Sequence, residues 1–191
     1  MNDRTVRTLK LIALAGALLV SAVLVWDQAD QEPWDVVALR DARDTFNNAD
    51  YKSAAKQYEA IVEKRANDTR AQRGLANSLV QLKDFDAAYA AISSAMTIEP
   101  ENACNYAIRG IIEDHRGNHA RAIFDYERAV AGCPLAREGM SWWQRVLSNT
   151  HEQPPTVAAR LAYLKQQMML PKAQRVLRIP DIDRAQKPLS E

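Results

Sequence analysis

Apolar and small residues recur along the middle of this chain at a constant step of about 34 residues. In each segment an aromatic or histidine side chain is followed by an alanine, a large side chain and a further small or aliphatic one. These columns are Tyr51, Phe85 and His119; Ala54, Ala88 and Ala122; Tyr58, Ile92 and Tyr126; and Ile61, Ala95 and Ala129. Their intervals of three and four residues fall on one face of an α-helix, so each segment predicts an amphipathic helix.

Further columns predict another helix ahead of each of these. Ala42, Ala76 and Gly110 keep the same step upstream, and Pro100 and Pro134 keep it downstream. Small residues allow two helix backbones to approach closely, and proline ends a helix because it lacks an amide hydrogen. The chain from 33 to 134 therefore predicts three helical hairpins, which bury their apolar faces by stacking on one another.

This pattern resembles the tetratricopeptide repeat, a helical hairpin of about 34 residues. The resemblance implies an all-α fold, a right-handed α-solenoid of three repeats over residues 33–134. Apolar helical patterns around Trp142-Trp143 and from Val157 to Met168 make 135–170 a degenerate fourth hairpin that caps the stack. One of the two tryptophans could instead be exposed and bind a partner. Residues 171–191 carry prolines and charges without a period, which predicts an extended or disordered tail.

Tetratricopeptide domains bind peptides or proteins on a concave surface lined mainly by the first helix of each repeat. Carried onto this sequence, the resemblance implies a protein-binding face of Arg43, Phe46 and Asn47 from the first repeat, Arg70, Arg73, Asn77 and Gln81 from the second, and Ile111, Asp114 and His115 from the third. Some members hold a C-terminal carboxylate with Lys and Asn at set positions. Asn77 matches one such position, and Arg43 and Arg73 supply cations, but the full set is absent. The alternative for each polar residue is a solvated face without a partner.

The N-terminus predicts a membrane anchor. Basic residues in a cytoplasmic stub (1–10) precede an apolar run from Leu11 to Trp26, and acidic residues follow in and beyond a linker (27–32). A helix over 11–26 spans about 24 Å, a little short of the hydrocarbon core, and its charge flanks place the repeats outside the cytoplasm. One alternative is a secretory signal cleaved after Ala22, although the apolar run continues beyond that site. A buried N-terminal helix fits less well, because the run is apolar on every face.

Composition fits one modest globular domain behind this anchor. The formal net charge is +1, with 26% charged and 47% hydrophobic residues, values that are ordinary for a globular chain. Such a charge gives no reason to expect nucleic-acid binding.

Two cysteines occur, and the repeat register places both at one end of the third hairpin. Cys104 stands at the start of its first helix and Cys133 at the end of its second. A disulfide there would close a loop of about 30 residues. The alternative is two separate thiols, which a reducing compartment would favour.

No arrangement in the sequence points to catalysis. His115 and His119 have the spacing of a helical metal pair, but Gly117-Asn118 interrupts the helix between them, and His119 occupies a packing column. Asn67-Asp68-Thr69 is a formal glycosylation sequon, which reads more simply as the start of a helix. We therefore expect no enzyme, no metal, no cofactor and no small-molecule substrate.

Together these features predict a single-pass protein of the bacterial inner membrane with a periplasmic tetratricopeptide domain. It would act as a scaffold or assembly factor that binds a segment of another envelope protein. Two alternatives stay open: a constitutive accessory subunit of a large membrane complex, and a secreted, soluble periplasmic binding protein.

Overall fold

The computed structural model describes residues 34–139 and 155–178 of the 191-residue chain. These residues form eight α-helices and one short 3₁₀ turn, Lys172–Gln174, and contain no β-strand. The all-α class is thereby confirmed for the described residues. The helices are α1 (Trp34–Asn47), α2 (Tyr51–Lys64), α3 (Thr69–Gln81), α4 (Phe85–Ile98), α5 (Ala103–His115), α6 (His119–Gly132), α7 (Pro134–Glu138) and α8 (Val157–Met169). By its internal contacts the chain divides after Val37, and the packing described below lies within the unit Ala38–Glu191.

The backbone repeats at the same step as the sequence. Helices α2, α4 and α6 begin at Tyr51, Phe85 and His119 and end at Lys64, Ile98 and Gly132. The residue two places before each start has a positive φ: Ala49 at 62°, Lys83 at 62° and Gly117 at 82°. This left-handed residue reverses the chain between the two helices of each hairpin, because it cannot continue the right-handed helix.

Side chains at the helix starts repeat as well. Asp50 and Asp84 cap α2 and α4 by accepting a hydrogen bond from the backbone N–H three residues on, each at 3.1 Å. Asp68 and Asn102 cap α3 and α5 in the same way, and each side chain accepts from a backbone N–H of the first turn. Such caps satisfy amides that lack an intrahelical partner, so they fix where each helix begins.

The core consists of the sequence columns. Every residue of the four columns that run through α2, α4 and α6 is buried, except those of the first column, which are half-buried. The small upstream column, Ala42, Ala76 and Gly110, is buried too. Consecutive helices from α2 to α6 pack on one another, as in an α-solenoid.

Glycines permit two of these close packings. A Cβ added to Gly110 would lie 2.6 Å from Cδ1 of Tyr126, so the Tyr126 ring is a close neighbour of Gly110. A Cβ on Gly74 would likewise collide with the ring of Tyr58, a contact between neighbouring hairpins. In both places the absent side chain is what lets a tyrosine ring pack against the helix backbone.

The capping elements continue the core. Both α7 and α8 pack on α6, and Ala136, Val157, Leu161 and Leu164 extend the apolar cluster of the second and third hairpins. Helix α8 covers the second helical pattern predicted in 135–170. Residues 140–154, with Trp142 and Trp143, lie outside the described residues. In the predicted tail, residues 175–178 run back along α8, and those beyond 178 are not described.

A disulfide joins Cys104 to Cys133 across the open end of the third hairpin, with the Cα atoms 5.1 Å apart. Next to it, a Cβ on Gly132 would lie 2.7 Å from Cβ of Ala103, so the two helix ends are in close contact there. The predicted membrane segment, 11–26, lies outside the described residues. Among the residues that are described, none of the helices has the length and apolar character needed to cross a membrane.

Candidate protein-binding surface

Helices α1, α3 and α5, the first helices of the three hairpins, carry all ten residues of the predicted binding face. We call the surface of these helices the first-helix surface; α3 and α5 contact each other directly. Five of the ten residues are accessible: Arg43, Asn47 and Arg70 are exposed, and Gln81 and His115 are half-buried. The other five, Phe46, Arg73, Asn77, Ile111 and Asp114, are buried.

Two of the accessible residues are arginines. Arg43 lies near the hydroxyl of Tyr58. Burial raises the pKa of Tyr58 to about 12, and the positive charge of Arg43 acts to lower that pKa. Arg70 lies 3.0 Å from the carboxylate of Asp68, the N-cap of α3, yet 56% of its side chain is exposed. It lines an open cavity of about 470 Å³ formed by residues 65–70. Both arginine side chains are thus exposed to solvent on the first-helix surface.

Arg73 instead links two hairpins. Its Nη1 donates to Glu99 Oε2 at 2.8 Å, and Asn102 Nδ2 donates to the same oxygen at 2.8 Å. Burial alone would raise the pKa of Glu99, but hydrogen bonds from Thr69 and Asn102 and the charge of Arg73 outweigh it and lower that pKa. Glu99 follows α4 and Asn102 precedes α5, so this network fastens the start of the third hairpin to the second.

Phe46 and Ile111 correct the sequence expectation, because both are core residues. Phe46 is 8% exposed, and its ring packs edge-on against Tyr51 with 5.2 Å between centroids. Ile111 is 5% exposed within the cluster of the second and third hairpins. Their apolar side chains are stabilised by leaving water. Asn77, the position that matched a carboxylate-binding asparagine, is also buried.

Asp114 requires the same correction, for an electrostatic reason. Arg160 of α8 donates from Nε to Asp114 Oδ2 at 2.7 Å and from Nη2 to Oδ1 at 3.1 Å. His119 Nδ1 lies 2.9 Å from Oδ1, and the hydroxyl of Tyr126 donates to Oδ2 at 3.3 Å. With both oxygens engaged by its own chain, this buried carboxylate is not presented to a partner.

His115 lies at the accessible edge of the first-helix surface. Its ring stacks on Phe85 of the preceding hairpin, with centroids 4.9 Å apart and planes 11° apart. Arg178 of the tail segment donates to the His115 backbone carbonyl and, at 3.3 Å, to that of Asp114. These are carbonyls at the end of α5, where a cation is favourable.

Sequence reasoning missed three residues of this region. Glu99, Arg160 and Arg178 all lie outside the first helices, so the repeat register gave them no role. The absence of any acidic residue from 155 to 178, where five cations occur, was the available signal. It indicates that this segment must find its carboxylates elsewhere in the chain.

In the described part of the chain, no group of three or more His, Cys, Asp or Glu side chains is arranged to hold a metal ion. No family model matches the sequence, and no curated protein is significantly similar to it.

Proposed function

We propose that this protein is a tetratricopeptide-type scaffold or assembly factor that binds a segment of another protein on its first-helix surface. The observation that carries the proposal is the coincidence of two periods. Helix bounds and left-handed turn residues recur at the step of the sequence columns in all three hairpins. Stacked hairpins of this kind present one helix from each unit to a common surface, which suits binding rather than catalysis.

The accessible side chains favour an acidic segment as the ligand. Arg43 and Arg70 supply exposed guanidinium groups that attract carboxylates. In Arg70, Nε and Nη2 already donate to the carboxylate of Asp68, so a partner's carboxylate would join this pair. The amides of Asn47 and Gln81 can bind a peptide main chain. The stacked rings of His115 and Phe85 add a flat, partly apolar contact at the third hairpin. All these groups stand on helices, which hold them in place before the ligand arrives.

We further propose that the domain lies outside the cytoplasm on a bacterial inner-membrane anchor. The apolar run 11–26 with its basic and acidic flanks supports an anchor. A disulfide between Cys104 and Cys133 supports an oxidising compartment. Intact-mass measurement of protein from the membrane fraction tests this: it should retain the segment through Trp26. A soluble mature form that begins at Val23 would contradict the anchor.

Affinity purification in mild detergent with quantitative mass spectrometry tests the binding function. The full-length chain is compared with Arg43→Glu/Arg70→Gln on the first-helix surface. Its matched control is Lys52→Glu/Lys56→Gln, which makes the same charge change at exposed sites on α2. Proteins recovered with the parent and the control, but lost with the first variant, are the expected partners.

The outcome also separates the two kinds of role. Recovery of one complex in fixed stoichiometry indicates a permanent accessory subunit, whereas substoichiometric recovery indicates an assembly factor. If all three chains recover the same proteins in the same amounts, the first-helix surface is not the binding site.

A further inference from the structure

One face of α8 binds the main chain of an extended segment. Gln167 Oε1 accepts from the N–H of Val176 at 2.8 Å, and the hydroxyl of Tyr163 donates to the carbonyl of Val176. Arg160 Nη2 donates to the carbonyl of Leu177 at 2.8 Å. The three side chains stand at intervals of three and four residues, so they form one stripe along the helix. We call them the α8 stripe.

Side chains of the bound segment add two selective contacts. Leu177 packs on the apolar cluster of the second and third hairpins. Arg178 binds the terminal backbone carbonyls of α5, at Asp114 and His115. Val176, the residue before Leu177, is 56% exposed, so its side chain adds no selective contact. The site therefore recognises three consecutive residues: any residue at the position of Val176, an aliphatic residue at that of Leu177 and a basic residue at that of Arg178.

Recognition through the main chain does not depend on which chain supplies it. The α8 stripe would make the same three hydrogen bonds with any extended peptide, as in other main-chain-directed peptide sites. The bound segment follows α8, the last helix among the described residues. Tethering gives it an effective concentration of about a millimolar, and a competitor must overcome that advantage.

We propose that the α8 stripe is a second peptide-binding site, which takes an extended segment with an aliphatic–basic pair from a partner protein. Residues 176–178 of the chain occupy this site as an internal competitor. The stripe lies on α8, outside the first-helix surface, and the tail reaches that surface only where Arg178 binds the end of α5. The proposal does not depend on the function proposed for the first-helix surface. A partner that displaces the tail frees the carbonyls at the end of α5 beside the stacked His115–Phe85 pair.

The probe is a fluorescein-labelled peptide with the sequence of residues 171–182, followed by fluorescence anisotropy. It is added to the full chain and to a full-length variant with a weakened tail, Leu177→Asp/Arg178→Glu. The variant should bind the probe at least tenfold more tightly than the parent, because its own tail no longer competes. A control peptide with the same two changes should bind neither chain.

Substitutions in the stripe provide the matched test. In the weakened-tail background, Tyr163→Phe and Gln167→Ala each remove one hydrogen bond to the probe and should weaken binding about fivefold. Gln166→Ala, at a neighbouring exposed site, should leave binding unchanged. The proposal is overturned if the parent and the weakened-tail chain bind the probe with equal affinity. It is also overturned if neither Tyr163→Phe nor Gln167→Ala weakens binding of the probe.

A spin label on Val176→Cys in the otherwise unchanged chain covers the case in which the weakened-tail variant does not fold. Saturating probe peptide should raise the mobility of the label, and the control peptide should not. A label that stays immobile at saturation would show that the segment is a fixed part of the fold and would overturn the proposal.

Discussion

Arg160 and Asp114 form a buried ion pair across 46 positions of sequence, with Nε 2.7 Å from Oδ2. Neither residue belongs to a repeated column, and 46 residues is not the repeat step. The pair therefore joins α8 to the third hairpin by a contact that the periodic part of the fold does not contain. Its stability contribution can be tested because a comparable exposed pair exists.

Arg160→Gln should destabilise the chain by about 3 to 5 kcal/mol, because it leaves the buried Asp114 carboxylate without its cation. Urea unfolding followed by circular dichroism measures the change. The control is Lys165→Gln, which removes an exposed pair between α8 and Glu127 of α6 and should cost less than about 1 kcal/mol. Similar losses in the two variants would contradict a special role for the buried pair.

Ala49 and Lys83 occupy left-handed backbone positions where the third hairpin has Gly117. Ala49→Gly and Lys83→Gly should each stabilise the chain by up to about 1 kcal/mol, because glycine adopts positive φ without a steric penalty. Gly117→Ala should cost about as much. Ala120→Gly, in the exposed part of a helix, is the control and should destabilise. Thermal melts measure all four, and a loss of stability at both 49 and 83 would refute the turn geometry.

Gly110→Leu should lower the free energy of unfolding by about 1 to 3 kcal/mol or more, since any side chain there meets the Tyr126 ring. Gly74→Leu should act alike through Tyr58. Ala120→Leu places a leucine at an exposed site of α6 and should have little effect. Chemical denaturation compares the three. A Gly110→Leu chain as stable as the parent would mean that the packing of α5 on α6 is misassigned.

Replacing both Cys104 and Cys133 by serine should destabilise the chain by about 3 to 4 kcal/mol, because the unfolded chain regains the freedom of the closed loop. Reductant should bring the parent down to the level of this variant and leave the variant unchanged. Alkylation under denaturing, non-reducing conditions should find no free thiol in protein freshly isolated from its own cells. Two free thiols would refute the bond.

Glu99 predicts a specific response to acid. Its pKa is lowered from an unfolded value near 4.5, so its stabilising effect is present above that value and is lost as the pH falls through the folded pKa. Glu99→Gln should therefore be less stable than the parent near neutral pH, and the difference should shrink in acid. Melts over this range, with exposed Glu59→Gln as control, measure it. If the stability difference between the parent and Glu99→Gln grows in acid, the lowered pKa of Glu99 is contradicted.

The fold was predictable as far as packing repeats. Columns of small residues, such as Ala42, Ala76 and Gly110, indicate where two helix backbones come close. They can be recognised in the sequence because they recur at a fixed step. The close packing at Gly74 was not predictable in this way, because the ring that leaves no room for a Cβ there, Tyr58, belongs to the preceding hairpin.

The binding face was less predictable. The position of a residue in the repeat predicts which face of the helix it lies on, but not which other side chains pack over it. Phe46 holds a position that faces outward in the repeat pattern, yet Tyr51 lies close enough to cover it. Asp114 is covered by Arg160, which comes from an element outside the periodic region. Side chains whose surroundings repeat can be placed from sequence, and those covered by non-repeating elements cannot.

The two ties on the third hairpin have a consequence for amide hydrogen exchange. In a linear array the terminal elements normally fray first, because each has only one neighbour. Here the Cys104–Cys133 bond holds one end of α5 and α6, and the Asp114–Arg160 pair holds the other end to α8. Helices α5, α6 and α8 should then open together as one cooperative unit. The slowest-exchanging amides are expected there, towards the C-terminal end of the array rather than at its middle.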